Sequence, residues 1–446
     1  MRPRSTARAV KRDTLSSGRQ PSRSSVWAWV GYDLANTIFA LGVIGLYLPQ
    51  WIVENDLPDS ALSLATGGAG LVVAFLAPWV GTRTDYHGNR IPALAITTGM
   101  AVCGSALLAV GPILLTMFIF GASLIGFHVG SAVYDSLLLD VSTPETRSRV
   151  SGMGVALGYL GSFIGLGVGT LVLEVGGGYP AVFRSLAFGF AVFSLPAFFL
   201  IQPARPSPPK GEPPPLRRVI GDLFRSWKAT RRYPNLTRFL VGRFCYAETV
   251  NTLVGGFLAI YATEEVGLTT SEVTVLLGAA IAASMAGGFV GGRLAERLGP
   301  GRGLRLILGL WVVTIALGVT AALSGAAWLI WVAGLSGGVS LGGLWATDRV
   351  VMTGLSPPER VGEFYGLYAT VGRFAAVLGP LLWGFIVDVL GMSRHAAMVS
   401  LMLIGLTALW VLRGINPGPG YEAVSSDEDS EGNTMETDPP SAPLGT

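Results

Sequence analysis

The sequence predicts an all-α membrane protein with twelve transmembrane helices, arranged as two six-helix bundles related by a pseudo-two-fold axis. Three observations predict it. Hydrophobic residues make up 50% of the 446 residues, and Asp, Glu, Lys and Arg only 13%, against roughly 25% in an ordinary globular chain. Nearly uncharged stretches of about 18 or more residues, each enough to cross a bilayer core as a helix, recur along the chain. The two halves also repeat each other at nearly one offset.

The stretches expected to span are 27–50, 60–80, 91–110, 113–139, 151–173, 180–201, 236–261, 272–294, 304–323, 327–350, 362–389 and 394–412. Gly111-Pro112 and Ser324-Gly325 separate neighbouring spans by very short turns. The domain plan is a basic tail (1–25), a first bundle (26–202), a Pro/Arg-rich linker (203–235), a second bundle (236–413) and an acidic, disordered tail (414–446). The basic tail carries seven Lys/Arg and one acid, and the connections at 81–90, 140–149, 202–235, 293–305 and 349–361 carry most of the other basic residues. The opposite loops hold Glu54, Asp56, Asp59, Glu174, Glu264, Glu265 and Glu272, with Arg184 and Arg394 as their basic residues. The positive-inside rule places both termini in the cytoplasm, in the plasma (inner) membrane. No small-residue cleavage site follows the first apolar run, which reads as a retained helix.

The linker has eight prolines, eight Lys/Arg and two acids. Within it Leu216, Val219, Ile220, Leu223, Phe224 and Trp227 fall at helical spacing among basic residues, the pattern of a helix on an anionic leaflet. From Tyr421 onward there are seven acids and no Lys or Arg.

The repeat joins Tyr32-Asp33-Leu34-Ala35-Asn36-Thr37 to Ala247-Glu248-Thr249-Val250-Asn251-Thr252 at an offset of 215. It joins the loop Gly81 to Gly88 to Gly292 to Gly299 at 211, and Asp135 with the Pro144/Arg147 turn to Asp348 with Pro357/Arg360 at 213. A parallel six-plus-six repeat places a substrate site between the halves near the midplane.

Cys103 and Cys245 each lie in an apolar stretch, which excludes a disulfide framework and a cysteine-rich metal site. His87, His128 and His395 are too scattered for a histidine metal cluster. No phosphate loop or nucleophile triad is present, so neither an enzyme nor an ATP-driven pump is expected, and neither is a cofactor, a metal or a nucleic-acid partner.

Gly81, Asp85, Gly88 and Arg90 resemble the loop signature of the major facilitator superfamily, with Tyr86 and Asn89 departing from its usual basic positions. The second copy keeps Gly292, Glu296, Arg297 and Gly299. Tyr32 to Phe39 and the run Arg149-Val150-Ser151-Gly152-Met153-Gly154, with Leu157-Gly158-Tyr159-Leu160-Gly161, resemble its vacuolar-effluxer-like branch, whose bacterial members are labelled "unknown major facilitator". The superfamily resemblance covers about 26–413. It implies the major facilitator fold and secondary transport by a monomer, with amino-acid export from vacuoles known for some eukaryotic relatives of the branch. It also implies that spans one, four, seven and ten line the cavity.

Polar residues fall on those spans: Asp33 and Asn36, His128, Tyr134 and Asp135, Glu248 and Asn251, Trp345 and Asp348. A carboxylate inside a membrane is a functional candidate by default. Asp33, Asn36, His128, Glu248, Asn251 and Arg373, the deep cation of span eleven, are therefore the expected substrate or proton site. Gly81, Asp85, Gly88, Arg90, Asp135, Gly292, Glu296, Arg297, Gly299 and Asp348 are the expected gating elements. Asp33 lies only about seven residues, roughly 10 Å, into its span, so a gate ion pair is its alternative role. The ladder Gly154, Gly158, Gly161, Gly165 and Gly169 predicts close helix packing.

The expected function is secondary transport of a small polar solute, an amino acid being one candidate, by proton-coupled alternating access with the bilayer and the solute as partners. The alternatives are an exporter of hydrophobic compounds and a non-transporting scaffold or sensor. The Gly-Pro of drug antiporters is missing from span five and occurs instead as Gly379-Pro380 in span eleven.

Overall fold

The computed structural model describes residues 21–143, 146–202, 212–356 and 361–415, and every regular element among them is helical. The turns at Pro144 and Pro357/Arg360 and the acidic tail beyond Ile415 lie outside the described residues, as do residues 1–20 of the basic tail.

Six helices form the first half. They are α1 Arg23–Glu54, α2 Asp59–His87, α3 Ile91–Ala106, α4 Ile113–Leu137, α5 Arg147–Glu174 and α6 Gly178–Leu200. The linker folds as α7, Leu216–Ala229, followed by a 3₁₀ turn Thr230–Arg232. The second half holds α8 (234–264), α9 Thr270–Leu298, α10 Pro300–Ser324, α11 Trp328–Leu355, α12 and α13 Arg394–Val411. Helix α12 is broken: Val361–Phe374 and Leu378–Gly384, the latter running into a π-turn Phe385–Val389.

Ten of these helices are long and apolar enough to cross a bilayer. The two other expected spans fall short for different reasons. Helix α3 closes after 16 residues, while α8 carries Arg238, Arg243 and Glu248. Leu114, Phe118, Phe188, Phe199 and Phe289 are each more than 70% exposed, as lipid-facing side chains are.

Helix α1 packs on α5 and α6, α2 on α4, and α3 on α4 and α6; in the second half α11 packs on α9 and α10, and α13 on α8 and α10. The halves meet through α2 against α12, α5 against α9 and α1 against α8. Each glycine of the α5 ladder touches α1. A Cβ would meet Trp29 at Gly154, Asp33 at Gly158, the Leu34 carbonyl at Gly161, Ile38 at Gly165 and the Tyr47 ring at Gly169.

The repeat extends into the backbone. Helix α1 widens into a π-helix over Ile38–Tyr47 and α8 over Leu253–Phe257, at the same offset that relates Asp33 to Glu248. In α8 the widening contains Gly256 at φ 110, where a Cβ would fall 2.5 Å from Pro49 and 2.9 Å from the Ile44 carbonyl. Glycine alone permits that backbone and that approach of the two halves.

Candidate functional site

A cavity of about 330 Å³ lies between the halves, walled by α1, α2, α4, α8, α11 and α12. His128, Asn251, Arg373 and Thr66 are its polar lining, and Ile44, Val73, Phe127 and Trp345 are among its apolar lining. A second cavity of about 390 Å³ lies towards the ends of α2 and α12 that face α7, between Gly81, Asp85, Arg90, Ser136 and Thr370, with Leu223 and Ser226 of α7 over it. Arg373 belongs to both walls.

Arg373 occupies the last turn of the first piece of α12, and the break that follows is held from α8. Asn251 Nδ2 donates to the carbonyls of Gly372 (3.3 Å) and Ala375 (3.1 Å). Three residues earlier, Glu248 accepts from the backbone N–H groups of Leu378 (3.2 Å) and Gly379 (2.6 Å). A broken helix leaves carbonyls orphaned on one side and N–H groups on the other. One amide and one carboxylate satisfy both, the carboxylate on the positive end of the second piece. Gly379 has no room for a side chain, since a Cβ would collide with Thr252 Oγ1. Glu248 is 2% exposed, behind the cavity wall, and Asn251 is on it.

The equivalent residues of the first half meet an unbroken helix. Asp33 lies against Gly158 of α5 and beside Tyr134. That tyrosine stacks on Trp29 (4.7 Å) and Tyr32 (4.9 Å), whose hydroxyl pairs with Thr98 at 2.6 Å. Thr37, not Asn36, donates to the Gly158 carbonyl, and the buried Asn36 Oδ1 has no hydrogen-bond partner among the described residues. Asp135 is exposed, with Arg373 and Arg349 as its electrostatic partners. Of the six expected binding residues, His128, Asn251 and Arg373 share the cavity, and Asp33, Asn36 and Glu248 stand outside its lining.

The expected gating residues divide likewise. Arg90, 4% exposed, joins Asp85 (2.5 Å) at the end of α2 to Asp140 (3.1 Å) beyond α4, and Gly88 supplies the left-handed turn at φ 69. In the second copy Gly299 takes φ 84, but Glu296 and Arg297 are exposed and make no ion pair with a described residue. Gly81 and Gly292 have open space where a Cβ would be. Asp348 is wholly buried inside the second half, bound to Arg243, Tyr246 and Tyr368, with the guanidinium 3.6 Å from the Tyr368 ring.

Asp85→Ala should leave Arg90 on Asp140 and loosen the α2 end. The Asp85 side chain is 44% exposed, so the pair contributes about 1 kcal/mol at most. A fall in maximal transport rate of about fivefold, with KM nearly unchanged, is expected. Proteoliposome uptake measures it, and a normal rate with a weakened KM would contradict a gating role.

On the face away from α7, the halves are tied by residues that the sequence did not place in the site or the gate, although Asp59 and Arg394 stand among the loop charges. Arg394 of α13 binds Asp59 of α2 through Nε (2.9 Å) and Nη2 (2.9 Å), and Trp383 Nε1 donates to Asp59 at 2.7 Å. Gln50 of α1 donates to Thr263 (2.7 Å) and accepts from Thr270 (3.1 Å), and the Ser60 N–H reaches Asp388. Asp140 was missed as well. The available signal was Arg394 itself, a rare basic residue among acidic loops.

The model of the Major Facilitator Superfamily matches residues 35–380 and 240–433. The chain is 26% identical over 406 residues to an uncharacterized MFS-type transporter, YxiO, of Bacillus subtilis, covering 86% of this chain and 93% of that one. It is 27% identical over 295 residues to the autophagy-related protein 22 of Yarrowia lipolytica, covering 58% of this chain and 49% of that protein. Among solved structures, the nucleoside transporter NupG superposes with a TM-score of 0.67 at 12% identity, covering 88% of this chain and 99% of that one. A bacterial homologue of the human lysosomal transporter Spinster, inward-facing and unoccupied, superposes at 0.61 and 16%, covering 87% and 95%. At these identities the solved structures show the fold.

Proposed function

The chain belongs to the Major Facilitator Superfamily, a family of membrane transporters, and from that premise we propose that it carries a small carboxylate-bearing polar solute, of the amino-acid class, by proton-coupled alternating access. The observation that carries this reading is Arg373 beside His128 and Asn251 in a cavity of about 330 Å³ between the halves. That volume is near the lower end of ligand clefts, roughly 300–1,000 Å³. A guanidinium presents paired donors to a carboxylate, His128 and Asn251 offer further polar contacts, and Phe127 and Trp345 leave apolar space for a side chain. The ties between Asp59 and Arg394 and around Gln50 support a conformation closed on that face. The α7 face, rich in basic residues, is then the cytoplasmic one, with both termini on it.

Thermal shift of the purified chain against amino acids, peptides, sugars and cationic drugs tests the substrate class. A ligand at about 100 times its Kd adds about 2.7 kcal/mol, so amino acids should raise Tm in wild type and not in Arg373→Gln. Stabilisation by hydrophobic cations alone would reject the reading. A hydrophobic substrate has one observation in its favour, an apolar cavity of about 220 Å³ among Tyr159, Leu277, Trp311, Ile315 and Ile330.

A further inference from the structure

We propose that the basic face of α7 is a docking surface for the chain's own acidic segment 421–438, an interaction independent of the substrate assignment above. Helix α7 is amphipathic in an informative direction. Val219 is buried, Ile220, Leu223 and Trp227 are half-buried, and the helix packs on α2 and α12. The middle of the apolar stripe is thus used inside the protein, while Leu216 and Phe224 stay exposed. At 3.6 residues per turn, Arg217, Arg218, Arg225 and Lys228 occupy an arc of roughly 100° on the side opposite Val219, and Arg232 follows in the 3₁₀ turn. All five are exposed, and Arg225, Lys228 and Arg232 border a shallow recess of about 430 Å³. Asp222 pairs with Arg225, while Lys228 and Arg232 have no ion pair with a described residue.

The described chain ends against the start of α8, the helix that follows this surface. Arg305 Nη1 donates to the carbonyls of Leu412 (3.2 Å) and Ile415 (3.3 Å), and Arg238 Nη2 to that of Arg413 (3.1 Å). Arg238 lies in the second turn of α8, six residues after Arg232, and Thr237 Oγ1 ties the junction by donating to the Thr230 carbonyl at 2.7 Å. Six residues span at most about 21 Å. Glu422 is seven residues from Ile415, a reach of up to about 23 Å. The acidic run Asp427, Glu428, Asp429 and Glu431 is twelve to sixteen residues away, a length for which a random chain has a root-mean-square span of about 17–24 Å. Seven acids without a Lys or Arg therefore emerge within reach of an exposed basic arc, in a chain whose remainder carries +10.

Pulsed electron spin resonance on the full chain in zwitterionic nanodiscs tests this, with labels at Asn235→Cys and Ser430→Cys on a Cys103→Ser/Cys245→Ser background. A narrow short-distance component is expected. It should be lost in Arg225→Gln/Lys228→Gln/Arg232→Gln and in about 1 M salt, where the Debye length falls to about 3 Å. The same broad distribution before and after the triple substitution overturns the proposal. It also falls if the short component is absent and the triple variant instead loses retained phosphatidylserine, which would make the bilayer the occupant.

Discussion

Arg394→Ala should open the face away from α7 and raise the accessibility of the central cavity from that side by at least tenfold. The Asp59 side chain is 2% exposed, and Arg394 gives it three of its four side-chain hydrogen bonds, the other coming from Trp383. Removing one partner of a buried pair strands the other charge, at about 3–5 kcal/mol. Arg394 is 21% exposed, which screens the pair and lowers the expected loss to about 2–3 kcal/mol. Asp59 opens α2 and Arg394 opens α13, so the contact exists only while the two halves meet there. The whole loss then falls on the closed state, a population shift of about 30- to 150-fold. Arg394→Lys should give an intermediate shift, because a lysine keeps the charge without the fork. Maleimide labelling of Thr66→Cys, added from that side on a background lacking the two native cysteines, measures it. Labelling at the parental rate in both Arg394 variants would show that the pair does not latch the halves.

Long uncharged stretches made most of the helices legible because lipid penalises charge along the whole of a span. That signal failed where the demand is local. Helix α3 closes at Ala106 although its apolar stretch continues to Val110, and α8 tolerates Arg238, Arg243 and Glu248 because the latter two are buried against α11 and α12 rather than lipid. The apolar stripe of α7 was visible, but its partner was not, since a stripe looks the same against lipid as against α2 and α12. The repeat placed Asp33 and Glu248 at equivalent positions and the structure keeps that equivalence down to the π-turns that follow. What the repeat could not carry is the partner of each acid. Helix α12 breaks after Phe374 and α5 continues unbroken past Gly158, so one carboxylate finds backbone N–H groups and the other finds a glycine surface. Gly379-Pro380 was the only local sign of that break. The latch at Asp59 joins one loop from each half of the chain, a separation no single motif encodes.

That difference of partners separates the two acids in function, and amide substitutions should separate them in experiment. Glu248 accepts from the Leu378 and Gly379 N–H groups with one oxygen each, whereas an amide keeps one acceptor oxygen and turns donors against the second N–H. Glu248→Gln is therefore expected to weaken the α12 break by about 2 kcal/mol, the scale of a charged hydrogen bond made neutral. Thermal stability should drop, and affinity should drop with it as Arg373 loses its fixed position, while accumulation driven by a pH gradient persists at reduced level. Asp33 has no such structural duty. It lies beside Tyr134 and near Asp135, and whether water reaches a carboxylate decides its proton equilibrium as a cavity opens and closes. Under the proton-coupled reading, Asp33→Asn should abolish pH-driven accumulation in proteoliposomes and leave counterflow exchange within about twofold of wild type, since exchange needs no net proton transfer. Accumulation that survives Asp33→Asn and is lost in Glu248→Gln would reverse the assignment and make the helix cap the proton carrier. Wild type that shows no pH-driven accumulation would mark a uniporter and remove the role from both.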